Sequence, residues 1–133
     1  MRKTVLTLAV VAASLVPGAA RAVVTPGSSL ILAGPGATLT TYAGVVFVEA
    51  GTGVEFVNLD IDQHDVLSYG TRPPDDPAPF CANYPSGNCP LFRTDLIGLA
   101  QVDPVEGVED LPTGVYDFFC SFHDWMQATL VVV

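Results

Sequence analysis

Residues 116–126, YDFFCSFHDWM, place a cysteine, a histidine and a methionine at three-residue intervals: Cys120, His123 and Met126. The residues before the cysteine are typical of a β-strand, in which Tyr116, Phe118 and Cys120 share one face. A second apolar run, residues 129–133, follows the segment and predicts another strand. The pattern therefore predicts two strands joined by a loop that carries three side chains able to bind a metal.

The chain contains one other histidine, His64, just past the strand predicted over residues 54–59. In a β-sandwich, the end of that strand and the loop that carries Cys120, His123 and Met126 can lie at the same end of the sandwich. The four side chains then supply the donors of a trigonal His₂Cys copper site with a weak axial thioether: His64, Cys120, His123 and Met126. Zinc is the main competitor, because Cys and two His completed by Asp65 or Asp124 would suit it, but zinc does not draw on thioethers.

Short runs rich in Val, Ile and Phe predict the remaining strands, over residues 29–32, 45–50 and 54–59, while residues 116–119 form the strand before Cys120. No stretch sustains helical spacing of apolar residues for three turns, and helix is limited to a turn or two around residues 95–101. Short strands separated by Gly and Pro predict an all-β protein, a sandwich or a small barrel.

Residues 69–90 contain six of the 11 prolines, too many for an interior strand, since proline lacks the N–H that a ladder needs. We expect this segment to cross from one sheet to the other. It contains Cys81 and Cys89, two of the three cysteines. A disulfide between them would fasten the loop and leave Cys120 as the unpaired cysteine.

The first 22 residues are typical of a secretory signal peptide. Residues 1–3 are a basic start, residues 4–16 an apolar run, and residues 20–22 (ARA) have the small-x-small form of a cleavage site. The apolar run is shorter than the roughly 20 residues of a membrane span. We therefore expect an exported protein, periplasmic or extracellular, whose mature domain, residues 23–133, is not inserted in the membrane.

Only two basic residues, Arg72 and Arg93, lie beyond residue 22, against all 14 acidic residues, so the mature domain has a formal charge of −12. Such a surface repels phosphate backbones and excludes nucleic-acid binding. It would attract a partner protein with a basic docking surface.

The sequence resembles the cupredoxins, the type 1 blue-copper proteins, and in loop length their amicyanin-like and plastocyanin-like members. The resemblance rests on two motifs, N-x-D-x-x-x-H-x-V over residues 58–66 and Y-x-F-x-C-x-x-H-x-x-M over residues 116–126. It extends over essentially the whole mature domain, from the predicted strands at residues 45–59 to the terminal strand. It implies a Greek-key β-sandwich or barrel and one copper ion per chain. It also implies roles for the ligands, with His64 and His123 as imidazoles, Cys120 as thiolate and Met126 as axial ligand.

The activity that the resemblance implies is one-electron transfer by a monomer that cycles between Cu(II) and Cu(I). A site whose strong positions are all filled by protein leaves no place for a substrate, which argues against an enzyme. Phe122 and Trp125, between the ligands, would form an apolar docking patch around His123, or they would only pack the loop. Copper storage or delivery is the alternative, although the mature chain has no Met-rich or His-rich tract.

Two positions depart from the family pattern. Asp65 stands directly after the first histidine, where the family often has Asn, and Ala128 stands two positions after Met126, where it favours Gly. Neither change removes a ligand. The carboxylate of Asp65 is expected to affect the reduction potential or the hydrogen bonds around the loop.

Overall fold

The computed structural model describes residues 29–34, 41–42, 44–85 and 87–133 of the 133-residue chain. Within them lie seven β-strands: β1 (Ser29–Ala33), β2 (Val45–Val48), β3 (Val54–Asn58), β4 (Leu67–Ser68), β5 (Val102–Pro104), β6 (Gly114–Phe119) and β7 (Gln127–Val132). The helical segments of the described residues are two short 3₁₀ helices, Pro79–Asn83 and Val108–Asp110. The predicted signal peptide, residues 1–22, lies outside the described residues and stays a prediction.

The strands form two sheets, one of three strands in the order β1-β3-β5 and one of four in the order β2-β7-β6-β4. β1 pairs with β3 and β2 with β7 in parallel, whereas the other pairs are antiparallel. The pairing of β6 with β7 extends from Gly114↔Val132 to Phe119↔Gln127. The predicted all-β sandwich is confirmed, and β6 and β7 are the adjacent strands that the loop after Cys120 joins.

Apolar side chains alternate along the strands and meet between the two sheets. On β2 the buried residues are Val46 and Val48, and on β3 they are Val54, Phe56 and Asn58. This period of two is what a strand buried on one face requires. The last buried residue of β3 is a polar one, Asn58, and the loop that carries His64 begins directly after it.

The predicted row of side chains on β6 is confirmed. Phe118 and Cys120 are fully buried, and Tyr116 packs partly buried against the same core. The ring of Phe118 contacts two other aromatic rings edge-on, those of Tyr42 at 4.9 Å and Phe92 at 6.1 Å between centroids. Cys120 therefore follows a rigid aromatic layer of the core, which limits how far its sulfur can move.

Strands β4 and β5 were not expected from the sequence. β4 has two residues and β5 (VDP) contains a proline, so neither has enough apolar alternation to be detected. Residues 95–101, to which the sequence limited any turn of helix, form none. The segment instead pairs as an isolated bridge between Ile97 and His64, and it turns at Ala100, whose φ is +61°. The contact with His64 is tertiary, so local spacing carries no signal for it.

The proline-rich segment lies between β4, in the four-stranded sheet, and β5, in the three-stranded sheet, as predicted. Its disulfide is confirmed, with Cys81 and Cys89 bonded and their Cα atoms 5.2 Å apart. Arg72 fixes the start of the segment. Its Nε donates to the Leu91 carbonyl at 3.2 Å, and its guanidinium lies 5.5 Å from the centre of the Phe80 ring. Among the described residues, no helix has the length and apolar character needed to cross a membrane.

Replacing both disulfide cysteines with serine should lower the free energy of unfolding by about 2–3 kcal/mol, because the bridge closes a short loop in the unfolded chain. Urea denaturation of wild type and the C81S/C89S double variant measures this difference. Thiol titration of denatured wild type before and after reduction is the control, with Cys120 the one free thiol before reduction. Equal unfolding free energies would contradict a stabilising role for the bridge.

Candidate metal centre

The four residues singled out in the sequence come from two loops at one end of the sandwich. His64 follows β3, and its backbone pairs in both directions with Ile97, at 3.0 and 2.9 Å. Cys120 directly follows β6, and Met126 directly precedes β7. The second loop is closed on itself. The Cys120 N–H donates to the Met126 carbonyl at 3.1 Å, and the Met126 N–H donates to the His123 carbonyl at 2.9 Å.

Three donor atoms converge in this region. The sulfur of Cys120 lies 3.7 Å from Nδ1 of His64 and 3.8 Å from Nδ1 of His123, and the three donor atoms lie within 4.8 Å of one another. His64 and Cys120 are fully buried, and His123 is 9% exposed. Met126 is buried on the same loop, 1% exposed. The structure thus brings together the three strong donors of the two sequence motifs, and it buries the fourth residue at the end of the loop that carries two of them.

The donor set fits one copper ion. A thiolate and two imidazoles around a common centre, with a thioether on the same loop, are the donors of a trigonal copper site. Burial raises the pKa of the Cys120 thiol, while hydrogen bonds from the N–H groups of Asp65, Phe122 and His123 act in the opposite direction. A soft cation favours the thiolate, because it replaces the thiol proton inside a site that excludes water.

Asp60 orients the first imidazole. Its Oδ2 lies 3.3 Å from Nε2 of His64, and Asp60 itself is only 5% exposed. A carboxylate that accepts from one ring nitrogen fixes the tautomer and leaves the other nitrogen free to bind a metal. The ring of His64 accordingly presents Nδ1 to the sulfur. In the sequence Asp60 was only part of a motif. Its i, i+4 spacing from His64 is a signal for contact only within a helix, whereas residues 60–64 form a bend and a bridge.

Asp65 ties the two loops together. It follows His64, and its carboxylate accepts two hydrogen bonds from Ser121, which follows Cys120: one from the backbone N–H at 2.7 Å and a short one from the hydroxyl. The expectation that Asp65 acts on the hydrogen bonds of this region is thus confirmed. Ser121 was not expected to take part. The other departure from the family pattern, Ala128, lies within β7 opposite Phe118.

His123 is the most exposed of the three donor residues and lies between two aromatic side chains. The ring centroids of Phe122 and Trp125 are 5.0 and 5.3 Å from its own. Both aromatic residues are largely exposed, 62% and 67%. A carboxylate oxygen of Asp62 lies 4.0 Å from Nε2 of His123. The surface over the second imidazole is therefore apolar, with at least one acidic group at its edge.

No protein-family model matches the sequence, and a comparison with curated proteins finds no significant match. Solved structures of amicyanin match this chain. A reduced Cu(I) form at pH 4 and an oxidised form, both of amicyanin variants, are 18% and 19% identical to this chain, each with a TM-score of 0.58. In both cases the match covers 83% of this chain and 86% of the amicyanin chain. The resemblance stated above is confirmed at the level of the fold, which is the cupredoxin β-sandwich.

The side chain of Asn58 holds the loop that leads to His64 by hydrogen bonds. Its amide nitrogen donates to the carbonyls of Asp62 and Ile97 at 2.7 and 2.9 Å, and its side-chain oxygen accepts from the N–H of Asp60 at 2.8 Å. The side chain is fully buried. All of its hydrogen bonds thus connect the end of β3 to the segment that positions the first imidazole.

The Asn58→Ala variant should lose about 2–4 kcal/mol of unfolding free energy, because it leaves two carbonyls and an N–H without these bonds in a buried site. Denaturant unfolding of the metal-free protein measures this loss. The control is Asn83→Ala at an exposed position, which should change stability by less than about 0.5 kcal/mol. Equal stabilities for the two variants would contradict the framing role.

Proposed function

We propose that this chain is an electron-transfer protein that carries one electron at a time on a single copper ion. His64, Cys120 and His123 would be the three strong ligands and Met126 the axial ligand. The observation that carries the proposal is the convergence of one sulfur and two Nδ1 atoms at the buried end of a cupredoxin sandwich. The structural neighbours support copper as the metal, since the amicyanin structures are described as Cu(I) and oxidised forms.

The copper ion would supply reversible one-electron chemistry, and the chain would keep its donors fixed during the change of charge. Three sets of hydrogen bonds support this role: His64 to Asp60, Ser121 to Asp65, and Cys120 to Met126. Donors held in one arrangement limit the rearrangement that accompanies a change of oxidation state. Because protein side chains would fill every strong position, a substrate would find no open coordination site, which favours a carrier over an enzyme.

Electrons would enter and leave through the imidazole of His123. Its ring is the donor closest to solvent, and Phe122 and Trp125 offer an apolar surface on either side of it. Asp62 and the exposed Asp124 add negative charge beside this surface. A redox partner with a basic rim around an apolar contact would fit it. We propose that the chain acts there as a monomer.

Export of the chain is part of the same proposal. The disulfide between Cys81 and Cys89 is of a kind that persists in oxidising compartments. Together with the predicted signal peptide over residues 1–22, it supports a mature domain, residues 23–133, that works in a periplasm or outside the cell. Mass spectrometry of protein secreted from an expression host would test this, with a mature chain beginning at residue 23 as the expected result.

Titration of residues 23–133 with one equivalent of Cu(II) should produce an intense blue or green thiolate-to-copper band. The band should bleach with ascorbate, because Cu(I) has a filled d shell that cannot accept charge from the thiolate. It should return on reoxidation, because the thiolate stays bound in both states. Cys120→Ser is the matched control and should remain colourless, since an alcohol cannot supply this transition. A wild-type protein that binds Cu(II) without an intense band would contradict a thiolate-bound electron carrier and favour storage. Tighter binding of Zn(II) than of copper would favour a zinc site.

Replacing Phe122 with Lys should slow electron transfer to a basic c-type cytochrome by tenfold or more. The change removes apolar contact area and places like charge opposite the partner. Phe47→Lys is the matched control, because Phe47 is equally exposed (64%) but lies on β2, paired with Val131 away from the loop. Stopped-flow kinetics at fixed ionic strength gives both rates. Equal rates for the two variants would contradict docking at Phe122.

A further inference from the structure

The imidazole of His123 is contacted by the loop that leads to His64 as well as by its own aromatic neighbours. Oδ2 of Asp62, in that loop, lies 4.0 Å from Nε2 of His123. Nδ1 of the same ring lies 3.8 Å from the sulfur of Cys120. A ring bound to a metal through Nδ1 carries its proton on Nε2. Asp62 therefore stands at the edge of the ring that is directed away from the donors.

The carboxylate of Asp62 is available to a group outside the chain. Its side chain is 57% exposed, and its distance of 4.0 Å from the imidazole is too long for a hydrogen bond. The two arginines of the mature domain are paired elsewhere, Arg72 with Asp110 and Arg93 with Glu106, both at 3.4 Å. Neither arginine therefore balances the charge of Asp62.

The backbone that carries Asp62 is held from inside the sandwich. Nδ2 of the fully buried Asn58 donates to the Asp62 carbonyl at 2.7 Å. The preceding residue, Ile61, donates its N–H to Oδ1 of Asp60 at 2.7 Å, while its side chain is 80% exposed. The loop thus holds an acidic and an apolar side chain at a fixed place on the surface. A charge on a fixed backbone pairs with a partner at a lower entropic cost than a charge on a segment that must be ordered.

We propose that Asp62 is a specificity-determining residue for electron transfer. It pairs with a lysine or arginine of the redox partner at the outer edge of the His123 imidazole, and it repels anionic reactants from that edge. The inference rests on the proposed function and deepens it, because it assigns the choice of reactant to one side chain rather than to the net charge of the domain. Cationic proteins would reach the ring, whereas small anionic oxidants and a second copy of this chain would be repelled.

The test compares Asp62→Asn with Glu49→Gln, each of which removes one negative charge. Glu49 is exposed and directly follows Val48, whose partner Val132 lies at the opposite end of β7 from Met126. Stopped-flow kinetics of the copper-loaded, reduced protein at low ionic strength gives the second-order rates. Two one-electron oxidants are used, a basic ferric c-type cytochrome and the anion hexacyanoferrate(III), and each takes one electron from Cu(I).

Asp62→Asn should slow the reaction with the cytochrome by about fivefold and accelerate the reaction with hexacyanoferrate(III) by a similar factor, because it removes an attraction for one and a repulsion for the other. Glu49→Gln should change both rates by less than about twofold. The effects of Asp62→Asn should nearly disappear at about 1 M salt, where exposed charges are screened beyond about 3 Å.

Equal effects of the two variants would overturn the proposal, because the net charge of the domain would then account for the choice of reactant. Rates that change in the same direction with both oxidants would also overturn it. A change of reduction potential alters the driving force for both reactions alike, whereas recognition of charge alters them in opposite directions.

The metal-free protein provides a second readout. NMR titration with the cytochrome should give a Kd about fivefold weaker for Asp62→Asn than for Glu49→Gln. In the wild type the largest shift changes should fall at residues 61–62 and 122–125. Equal Kd values for the two variants would overturn the proposal. Failure of the proposed function is distinguishable, since it would appear as a wild-type protein without the thiolate-to-copper band, whatever the two Kd values are.

Discussion

The antiparallel pairing of β6 with β7 determines where the metal centre can form. Its last pair, Phe119↔Gln127, is followed by the hydrogen bond from the Cys120 N–H to the Met126 carbonyl, so the seven residues between the strands form a closed loop. Sulfur, imidazole and thioether are thereby confined to one short segment with fixed ends. His64 comes from a distant part of the sequence, and its loop is joined to this one through the carboxylate of Asp65. Without the strand pairing, neither the loop nor its connection to His64 would have a defined position.

Burial gives the centre its electrostatic character. A thiol, two imidazoles and the carboxylates of Asp60 and Asp65 lie close together with little access to water. Removing so many polar groups from solvent is unfavourable unless each has a partner. The carboxylates have hydrogen-bond partners, and a soft cation would be the partner of the sulfur and of the ring nitrogens that face it. Burial would strengthen metal binding. It also strengthens the effect of the nearby backbone N–H groups, which lower the pKa of the Cys120 thiol.

The sequence predicted the donor set and the sandwich because both depend on local patterns. Three-residue spacing within one loop and alternation along β6 need no knowledge of the rest of the chain. It did not predict β4, β5 or the pairing of residues 95–101 with His64, since these depend on which segments meet in space. The hydrogen bonds from Ser121 and Tyr42 to Asp65 could not be predicted for the same reason. A serine and a tyrosine make such contacts only after folding brings distant segments together.

The closed loop between Cys120 and Met126 has a consequence for how such a protein can diversify. Its ends are fixed by backbone bonds whose formation does not depend on the side chains between them. Residues 122, 124 and 125 point outward and contribute little to the core. Their replacement, or a change in loop length, would alter the surface over His123 while the sandwich below stays intact. The surface of this loop can therefore change in evolution without affecting the ability of the chain to fold.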